Sequence, residues 1–205
     1  KMIKSSKETT TESFNRIKEG QSGDYKPLKT RFKHFNDITH GGIGKVYYVI
    51  WDNMVQRCKS HINYTDIVVC EEWLNFSNFA EWMEQNYNAE TMEGWHLDKD
   101  ILVKGNKIYS PKTCCFVPQE INKTFTTKKR GVCLGVVSVG KKFRSVISIK
   151  GVQKHLGYFK THKEAFQAYK IAKELHIKQL AEKYKQYLKT EVYKALINYK
   201  IEITD

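Results

Sequence analysis

One stretch in the C-terminal half constrains the fold most strongly, because its hydrophobic pattern changes period partway along. Apolar and polar residues alternate in three short runs, at residues 134–139, 143–149 and 153–159. Turns that contain glycine separate the runs, at Gly140–Lys141 and Lys150–Gly151. A period of two residues is typical of half-buried β-strands. The pattern therefore predicts three short strands joined by tight turns.

The period changes to that of a helix directly after the third run. Thr161 and Glu164 have the spacing of a capping box, in which two side chains satisfy backbone amides at a helix N-terminus. An apolar stripe follows at helical spacing, formed by Ala165, Phe166, Tyr169, Ala172, Leu175, Leu180 and Tyr184. We expect one long helix that ends near Leu188, with residues 191–201 continuing it or packing back.

Positive charge is concentrated in the same region. The 205 residues include 35 Lys and Arg against 22 Asp and Glu, a net charge of +13. Residues 126–205 carry +12 of this charge, and residues 126–160 contain nine basic residues and no acidic one. Residues 61–100 carry −8. This asymmetry indicates separate modules, and the basic module is typical of a surface that faces phosphates.

The chain before residue 126 is predicted to be mostly helical. Helical spacing of apolar residues predicts helices at 45–59 and 75–87, with a buried extended segment at 67–70 between them. Gly41–Gly44 is expected to be a loop, and residues 95–103 a strand. We therefore predict an α+β protein with a helical N-terminal part and a three-stranded antiparallel sheet packed on a long helix. Its divisions are a flexible arm at 1–24 and modules at 25–125 and 126–205.

Composition argues against two classes of protein. No apolar run approaches the roughly 18 residues that a membrane-spanning helix needs, so no membrane partner is expected. The five cysteines are odd in number and lack a C-x₂₋₄-C pair, which argues against a disulfide framework and against structural zinc. We expect a reducing compartment, with Cys70 and Cys114 as small core residues.

One face of the predicted sheet has residues suited to duplex DNA. If the other face packs on the helix, Arg144, Val146 and Ser148 point outward. A sheet fits the major groove, where an arginine can donate two hydrogen bonds to guanine and lysines can hold phosphates. The residues predicted to bind DNA are Arg130, Lys141, Lys142, Arg144, Lys150, Lys154 and His155.

A second set of polar residues lies on the strand predicted at 95–103. His96, Asp98 and Asp100 alternate along it, so they are expected to share one face. Oxygen ligands of this kind suit Mg²⁺ or Mn²⁺. An alternative stays open, in which Asp98 and Asp100 are solvated acids beside a turn and Lys99 is their ion-pair partner.

A specific motif closes the third run and opens the long helix. It consists of His155-Leu156-Gly157-Tyr158-Phe159, then Thr161, Glu164-Ala165 and Ala168-Tyr169. With this motif, residues 135–169 resemble the ethylene-response-factor-type DNA-binding domain. The resemblance implies that the sheet, rather than the helix, lies in the major groove of double-stranded DNA.

Five further motifs occur between residues 45 and 125. They are Trp51-x-x-Met54-x-x-Arg57-Cys58, Val69-Cys70-x-x-Trp73, Phe76-x-x-Phe79, Leu97-Asp98-Lys99-Asp100 and Tyr109-Ser110-Pro111-x-Thr113-Cys114. This region resembles the HNH-type endonucleases of phages and mobile elements, which often carry the ethylene-response-type module at the C-terminus. The resemblance implies a ββα-metal unit, in which one divalent cation bridges the scissile phosphate and a histidine activates water.

The family pattern carries over to this chain incompletely. Asp98 falls at the metal-binding aspartate, Lys99 at the usual general-base histidine, and Thr113 where a metal-ligating asparagine is common. His96 is then the candidate base, and Asn106 or Asn122 can supply the amide. The predicted catalytic residues are His96, Asp98 and Lys99, and the predicted ligands of Mg²⁺ or Mn²⁺ are Asp98, Asp100 and Asn122.

The leading hypothesis is a metal-dependent DNA endonuclease acting in the cytoplasm of a bacterial host. A small enzyme that cuts both strands usually needs two copies, so a homodimer is the expectation for that outcome. The alternative is a catalytically inactive DNA-binding or regulatory protein on a decayed HNH fold, which Lys99 and Thr113 favour. An RNA-associated or structural protein ranks last, because only Tyr158 or Phe159 could offer a stacking surface.

Overall fold

The computed structural model describes residues 43–60, 66–126 and 132–205, and the predicted arm at 1–24 lies outside them. The protein is of the α+β class, as the sequence predicts. Its elements run in the order α1 (Ile43–Ser60), β1 (Val68–Val69), a 3₁₀ helix (Glu71–Leu74), α2 (Phe76–Asn86), β2 (His96–Asp98), β3 (Ile108–Tyr109), β4 (Cys115–Val117), α3 (Gln119–Phe125), β5 (Val136–Val139), β6 (Lys142–Ile149), β7 (Val152–Phe159), α4 (His162–Tyr184) and α5 (Thr190–Ile197).

The chain divides into two compact units that do not follow a single cut in the sequence. The first contains the described residues up to Glu93 together with Val103–Cys115. The second contains Gly94–Leu102 and Phe116–Asp205. Most of β2, β4 and α3 therefore belongs to the same unit as the three-stranded sheet and its helix. This places both groups of predicted site residues in one unit.

Aromatic packing holds the first unit together. The indole of Trp51 in α1 donates a hydrogen bond to the backbone oxygen of Trp73 over 2.7 Å. The Trp73 ring lies edge-on to Phe79 and Trp82 of α2, with ring centres 4.9 and 4.8 Å apart. Trp73 and Phe79 are completely buried. The predicted helices are confirmed, and the aromatic residues between them form core rather than a ligand surface.

The sheet of the second unit is antiparallel with strand order β5-β6-β7, as predicted. Helix α4 begins with the predicted capping box, in which the side chains of Thr161 and Glu164 each accept from the other's backbone N–H. The sheet packs against α4 through Val136, Ser145 and Ile147, which are at most 2 % exposed. Burial of this apolar face against the helix stabilises both elements.

A close approach between backbone and ring fixes where α4 crosses the sheet. Gly135 precedes β5 with a φ of +69°, and a Cβ at this position would lie 2.0 Å from the ring of Tyr169. Only glycine tolerates both the left-handed backbone and the ring at that distance. The Tyr169 side chain is therefore seated directly against the start of the sheet.

Four local predictions are corrected by the structure. The strand predicted at 95–103 ends at Asp98, for a reason given below. Gly44 belongs to α1 instead of a loop. Helix α4 ends at Tyr184, before Leu188, because the chain turns so that α5 packs back on α4. Leu175 is exposed, since the buried stripe of α4 passes through Lys173 and Ile177 instead.

Candidate active site and nucleic-acid interface

Strands β2 and β4 and helix α3 form a local strand–strand–helix arrangement, with β3 lying between β2 and β4 in the chain. Strands β2 and β4 form a two-stranded sheet, and α3 follows β4 after Pro118. Proline is acceptable there because the first turn of a helix needs no amide donor from it. The unit brings residues that are far apart in sequence to one place.

His96 and Asn122 meet in this unit across 26 residues of sequence. The amide nitrogen of Asn122 on α3 lies 3.0 Å from Nδ1 of His96 on β2. The amide nitrogen of Gln119, one turn earlier on α3, lies 3.4 Å from Nε2 of the same ring. Two side chains from one helix thus contact the half-buried imidazole, and a neutral ring can accept a hydrogen bond from only one of the two amide nitrogens.

Asp98 ends β2 and caps the turn that follows it. Its Oδ1 accepts hydrogen bonds from the backbone N–H groups of Asp100 (2.7 Å) and Ile101 (2.8 Å). This turn ends the strand early and removes Asp100 from the face shared by His96 and Asp98. Burial raises the pKa of Asp98, although the two backbone hydrogen bonds oppose the shift. The carboxylate has a structural role whatever else it does.

Lys99 and Asp100 pair with each other. Nζ of Lys99 lies 2.7 Å from both carboxylate oxygens of Asp100, and only 7 % of the lysine side chain is exposed. A lysine that is engaged by a carboxylate in this way is a poor candidate for a general base. The arrangement agrees with the alternative in which Lys99 is an ion-pair partner.

Few donor atoms of the described residues near His96 are candidates to hold a cation. Both hydrogen bonds to Asp98 use Oδ1, which leaves Oδ2 as a ligand atom, and the amide oxygen of Asn122 is a second candidate. The carboxylate of Asp100 is neutralised by Lys99. Among the described ranges, no three His, Cys, Asp or Glu side chains converge. Mg²⁺ is commonly held by one or two carboxylates together with substrate phosphates, so the set suits a cation that arrives with a phosphate.

The second amide considered from sequence, Asn106, has a different role. Its side chain donates to the backbone oxygen of Ile108 over 2.7 Å, and the Thr113 hydroxyl donates to the same oxygen over 2.8 Å. Both residues hold the loop around β3. Asn122 is therefore the asparagine that accompanies His96.

Tyr199 is a residue of this region that sequence reasoning missed. It follows α5, and its ring lies 4.8 Å from that of Phe125 at the end of α3. Burial raises the pKa of Tyr199 to about 12, and the nearby carboxylates of Asp205, Asp100 and Asp98 add to the shift. No sequence motif predicts this position for Tyr199, because only the path of the chain after α5 brings its ring next to Phe125.

None of the described residues on the outer face of the sheet is acidic. Cross-strand partners share a face, so the register places Val137, Val139, Lys142, Arg144, Val146, Ser148, Gln153, His155 and Tyr158 on the side away from α4. A bulge between Ser145 and Val146 of β6 and Leu156 of β7 is accommodated by Gly157, whose φ is +137°. The extra residue lets both His155 and Tyr158 face outward, with ring centres 4.8 Å apart.

The other predicted DNA-binding residues surround this face. Lys141 and Lys150 lie in the two hairpin turns and are exposed. Lys154 is paired with Ile147, which places it on the side that α4 covers. Arg130 lies outside the described residues. The structure thus brings Lys142, Arg144 and His155 together on one face and leaves the remaining lysines at its rim.

Glu120 of α3 ties the strand–strand–helix unit to the sheet and its helix. Its carboxylate forms ion pairs with Lys183 of α4 and with Lys150, the second over 3.6 Å, and it accepts a hydrogen bond of 2.9 Å from the Tyr184 hydroxyl. The hydrogen bond from Lys183 is the main reason that the pKa of Glu120 is lowered. These contacts fix α3, and with it Asn122, relative to α4 and to the turn of the basic hairpin formed by β6 and β7.

Cys114 is buried, as predicted for a small core residue, whereas Cys70 is half-buried. None of the helices in the described ranges combines the length and apolar character that a bilayer crossing requires.

Comparisons of the chain with protein-family models, with curated proteins and with solved structures give no match. The functional interpretation therefore rests on the residues and their geometry.

Proposed function

We propose that this protein binds double-stranded DNA through the outer face of its three-stranded sheet and hydrolyses a phosphodiester bond at His96. The observation that carries the proposal is the meeting of His96 and Asn122 beside Asp98, in a strand–strand–helix unit that shares one compact unit with the basic sheet. Nuclease chemistry needs a base and a cation site next to a surface that binds phosphates. The proposal is supported by the candidate residues for both functions belonging to the same compact unit.

The outer face supplies the grip. Lys142 and the two turn lysines provide charge for phosphates, which adds affinity without sequence preference. Arg144 lies between Val137 on one neighbouring strand and Tyr158 on the other, so it stands at the centre of the face. A guanidinium at that position can pair with a guanine edge in the major groove.

At the site itself, His96 accepts the proton of the attacking water through Nε2. This requires that Nδ1 carry the ring proton and that the Asn122 amide turn over, so that its oxygen replaces the nitrogen now 3.0 Å from Nδ1. The second lone pair of that oxygen stays available to a cation. The Gln119 amide nitrogen, 3.4 Å from Nε2, must give way to the water. Asp98 and Asn122 would hold Mg²⁺ or Mn²⁺, and the bound cation would neutralise charge on the phosphate. Lys99 is assigned no part in the proton transfer, since it pairs with Asp100.

The test is cleavage of supercoiled plasmid with Mg²⁺ or Mn²⁺ by the wild type and by Asp98→Asn. Asparagine keeps an Oδ1 that can accept from the amides of Asp100 and Ile101, so the turn survives while the anionic ligand is lost. We expect intact folding, unchanged DNA affinity and a loss of cleavage. Equal cleavage by both proteins excludes Asp98 as a metal ligand.

A second candidate function is a DNA-binding protein without catalysis, used for regulation or for blocking another enzyme. The structural partners of both carboxylates favour it, because Asp98 caps a turn and Asp100 pairs with Lys99. Tight binding of duplex by the wild type, without cleavage in either cation, would select this candidate over the first.

A further inference from the structure

A groove of about 990 Å³ runs between α3 and the sheet, within the second unit. Most of its polar lining comes from three elements: Gln119 and Lys123 from α3, Arg144 and Lys150 from β6 and its turn, and Lys173 and His176 from α4. The outer face of the sheet contributes Ser148 and Gln153 as well. The groove is therefore continuous with the face proposed to bind DNA.

The lining is cationic even though it contains a carboxylate. Among the described lining residues the one acidic side chain is Glu120, which is already engaged by Lys183, Lys150 and the Tyr184 hydroxyl. Lys123 and Arg144 add positive charge that this carboxylate does not balance. A groove with an excess of positive charge and polar walls suits an anionic ligand.

Burial removes water from two of the cationic side chains, Arg144 and Lys173, which is unfavourable for their charged forms. Nε of Arg144 is buried and has no hydrogen-bond partner within the described part of the chain. Lys173 is 5 % exposed, and burial lowers its pKa to about 8. Buried cationic groups of this kind, lining a cleft, are candidates for a functional role because an anionic ligand would relieve the cost.

One end of the groove reaches the candidate active site. Gln119 lines the groove, and its amide nitrogen lies 3.4 Å from Nε2 of His96. The amide oxygen of the same side chain accepts a hydrogen bond of 2.8 Å from Lys123. A ligand that contacts Lys123 is thus one side chain away from the ring proposed to activate water.

We propose that this groove takes the sugar–phosphate backbone of one DNA strand and leads it from the outer face of the sheet to His96. The inference rests on the proposed function. It adds the DNA contact that would connect the sheet interface with the site at His96. Arg144 and Lys150 are separated by six residues, about 20 Å along a strand. Arg144 pairs with a base edge at the outer-face end, and successive phosphates of the same strand then follow the groove past Lys150 and Lys123, a distance that a single phosphate cannot span.

The test measures how the affinity for a fluorescent duplex depends on salt concentration. We compare the wild type with Lys123→Gln and Lys173→Met, which alter groove residues outside the outer face of the sheet. Each phosphate contact that is lost should reduce the slope of log affinity against log salt by about 0.9. We expect each variant to lose about one contact and to bind roughly tenfold more weakly at low salt.

The matched control is Lys178→Gln, an exposed lysine of α4 that does not line the groove. It carries the same change of charge and should keep the wild-type slope. Wild-type slopes in both groove variants, together with weakened binding by Arg144→Ala, would overturn the groove while leaving the sheet interface in place. A wild type that binds no duplex would overturn the proposed function itself.

A second measurement separates a backbone track from a site for one small anion. Inorganic phosphate is titrated as a competitor against the duplex, with wild type and with Lys123→Gln. We expect phosphate to compete only through ionic strength, equally in the two proteins. Saturable competition that disappears in Lys123→Gln would show a small-anion site and overturn the inference.

Discussion

The outer face of the sheet and the turn after β2 lie in the same unit, yet they depend on their residues in opposite ways. The sheet face gathers several cations, so its affinity for a polyanion is a sum of modest contributions. The β2 turn depends on a few atoms, since the His96 ring is contacted by Asn122 and Gln119 and the backbone around it by Asp98. The affinity of the sheet face therefore tolerates the loss of one cation, whereas the site at the β2 turn depends on the position of each group.

This difference implies different responses to substitution. Loss of one lysine from the sheet rim weakens binding but leaves a surface that still attracts DNA. Loss of one group from the β2 site removes a chemical step. The roles of the two regions are therefore distinguished by variants in which DNA binding and cleavage change independently of each other.

The largest effect is expected from His96→Ala. Removal of the imidazole deletes the proposed proton acceptor, and general-base catalysis is typically worth about 10²–10⁴ in rate. Cleavage should fall by that factor while the affinity for duplex DNA stays unchanged. Plasmid-nicking rates and binding curves are measured on the same preparations. A wild-type rate would place proton transfer elsewhere and remove the asymmetry between the two regions.

Arg144→Ala is the corresponding change on the sheet. A guanidinium that reads a guanine contributes about 1–3 kcal/mol, so affinity for a preferred sequence should fall roughly 5- to 150-fold. Arg144→Lys keeps the charge but loses the paired hydrogen bonds, and it should lose sequence preference more than affinity. Fluorescence anisotropy with specific and random duplexes checks both. If Arg144→Ala reduced cleavage with no change in binding, the division of labour proposed here would be wrong.

The two regions also differ in how far the sequence predicts them. The three strands, their turns and the capping box of α4 follow from patterns within a few residues, because period-two alternation and glycine turns are local signals. The outer and inner faces of β6 followed from the same alternation. The bulge that turns both His155 and Tyr158 outward could not be predicted from the sequence, since it depends on how β7 pairs with β6.

The β2 site could be predicted only as a set of residue types. His96, Asp98 and Asn122 were identified, but the alternation predicted that Asp100 shares the face of His96 and Asp98, whereas the strand ends at Asp98. The position of Asp100 depends on whether the backbone stays extended after Asp98 or turns. It turns, because the Asp98 carboxylate accepts two backbone hydrogen bonds there. Tyr199 and the link from Gln119 to His96 come from tertiary contacts across 23 or more residues, for which no local pattern exists.

Lys173→Met tests the groove wall that lies between the two regions. The buried lysine has a pKa of about 8 in the folded protein against 10.5 for an ordinary lysine. Desolvation of this charge opposes folding, so methionine of similar length should stabilise the protein by about 1–3 kcal/mol at pH 7. Chemical denaturation of both proteins gives the difference.

The pH dependence of that difference has a defined sign. Below pH 8 the lysine is charged in both folded and unfolded chains, and its cost is constant. Between about pH 8 and 10.5 the unfolded chain binds more protons, so wild-type stability rises with pH relative to the variant. The advantage of Lys173→Met should therefore shrink across this range. An advantage that stays constant to pH 10.5 would mean that packing, and not desolvation, sets the effect.

The smallest effect is expected from Glu120→Gln, which cuts the ties between α3 and the basic hairpin. The carboxylate is 22 % exposed, and partly solvated ion pairs contribute about 1 kcal/mol or less. Because the pKa of Glu120 is lowered in the folded protein, its stabilising effect is present above the ordinary value of 4.5 and is lost as pH falls through the lowered folded value. Denaturation at pH 7 and at acidic pH should show the difference disappearing.

The value of this variant is that the two regions respond to it in opposite directions. Removing a negative charge from the groove should leave DNA affinity equal or slightly higher, since Lys150 and Lys183 become available to phosphates. Loosening α3 should lower cleavage, because the same helix holds Asn122 and Gln119 against His96. Parallel loss of binding and cleavage would mean that Glu120 supports the sheet itself. Opposite changes would show that geometry at His96, and not charge, is what the ion pairs of Glu120 protect.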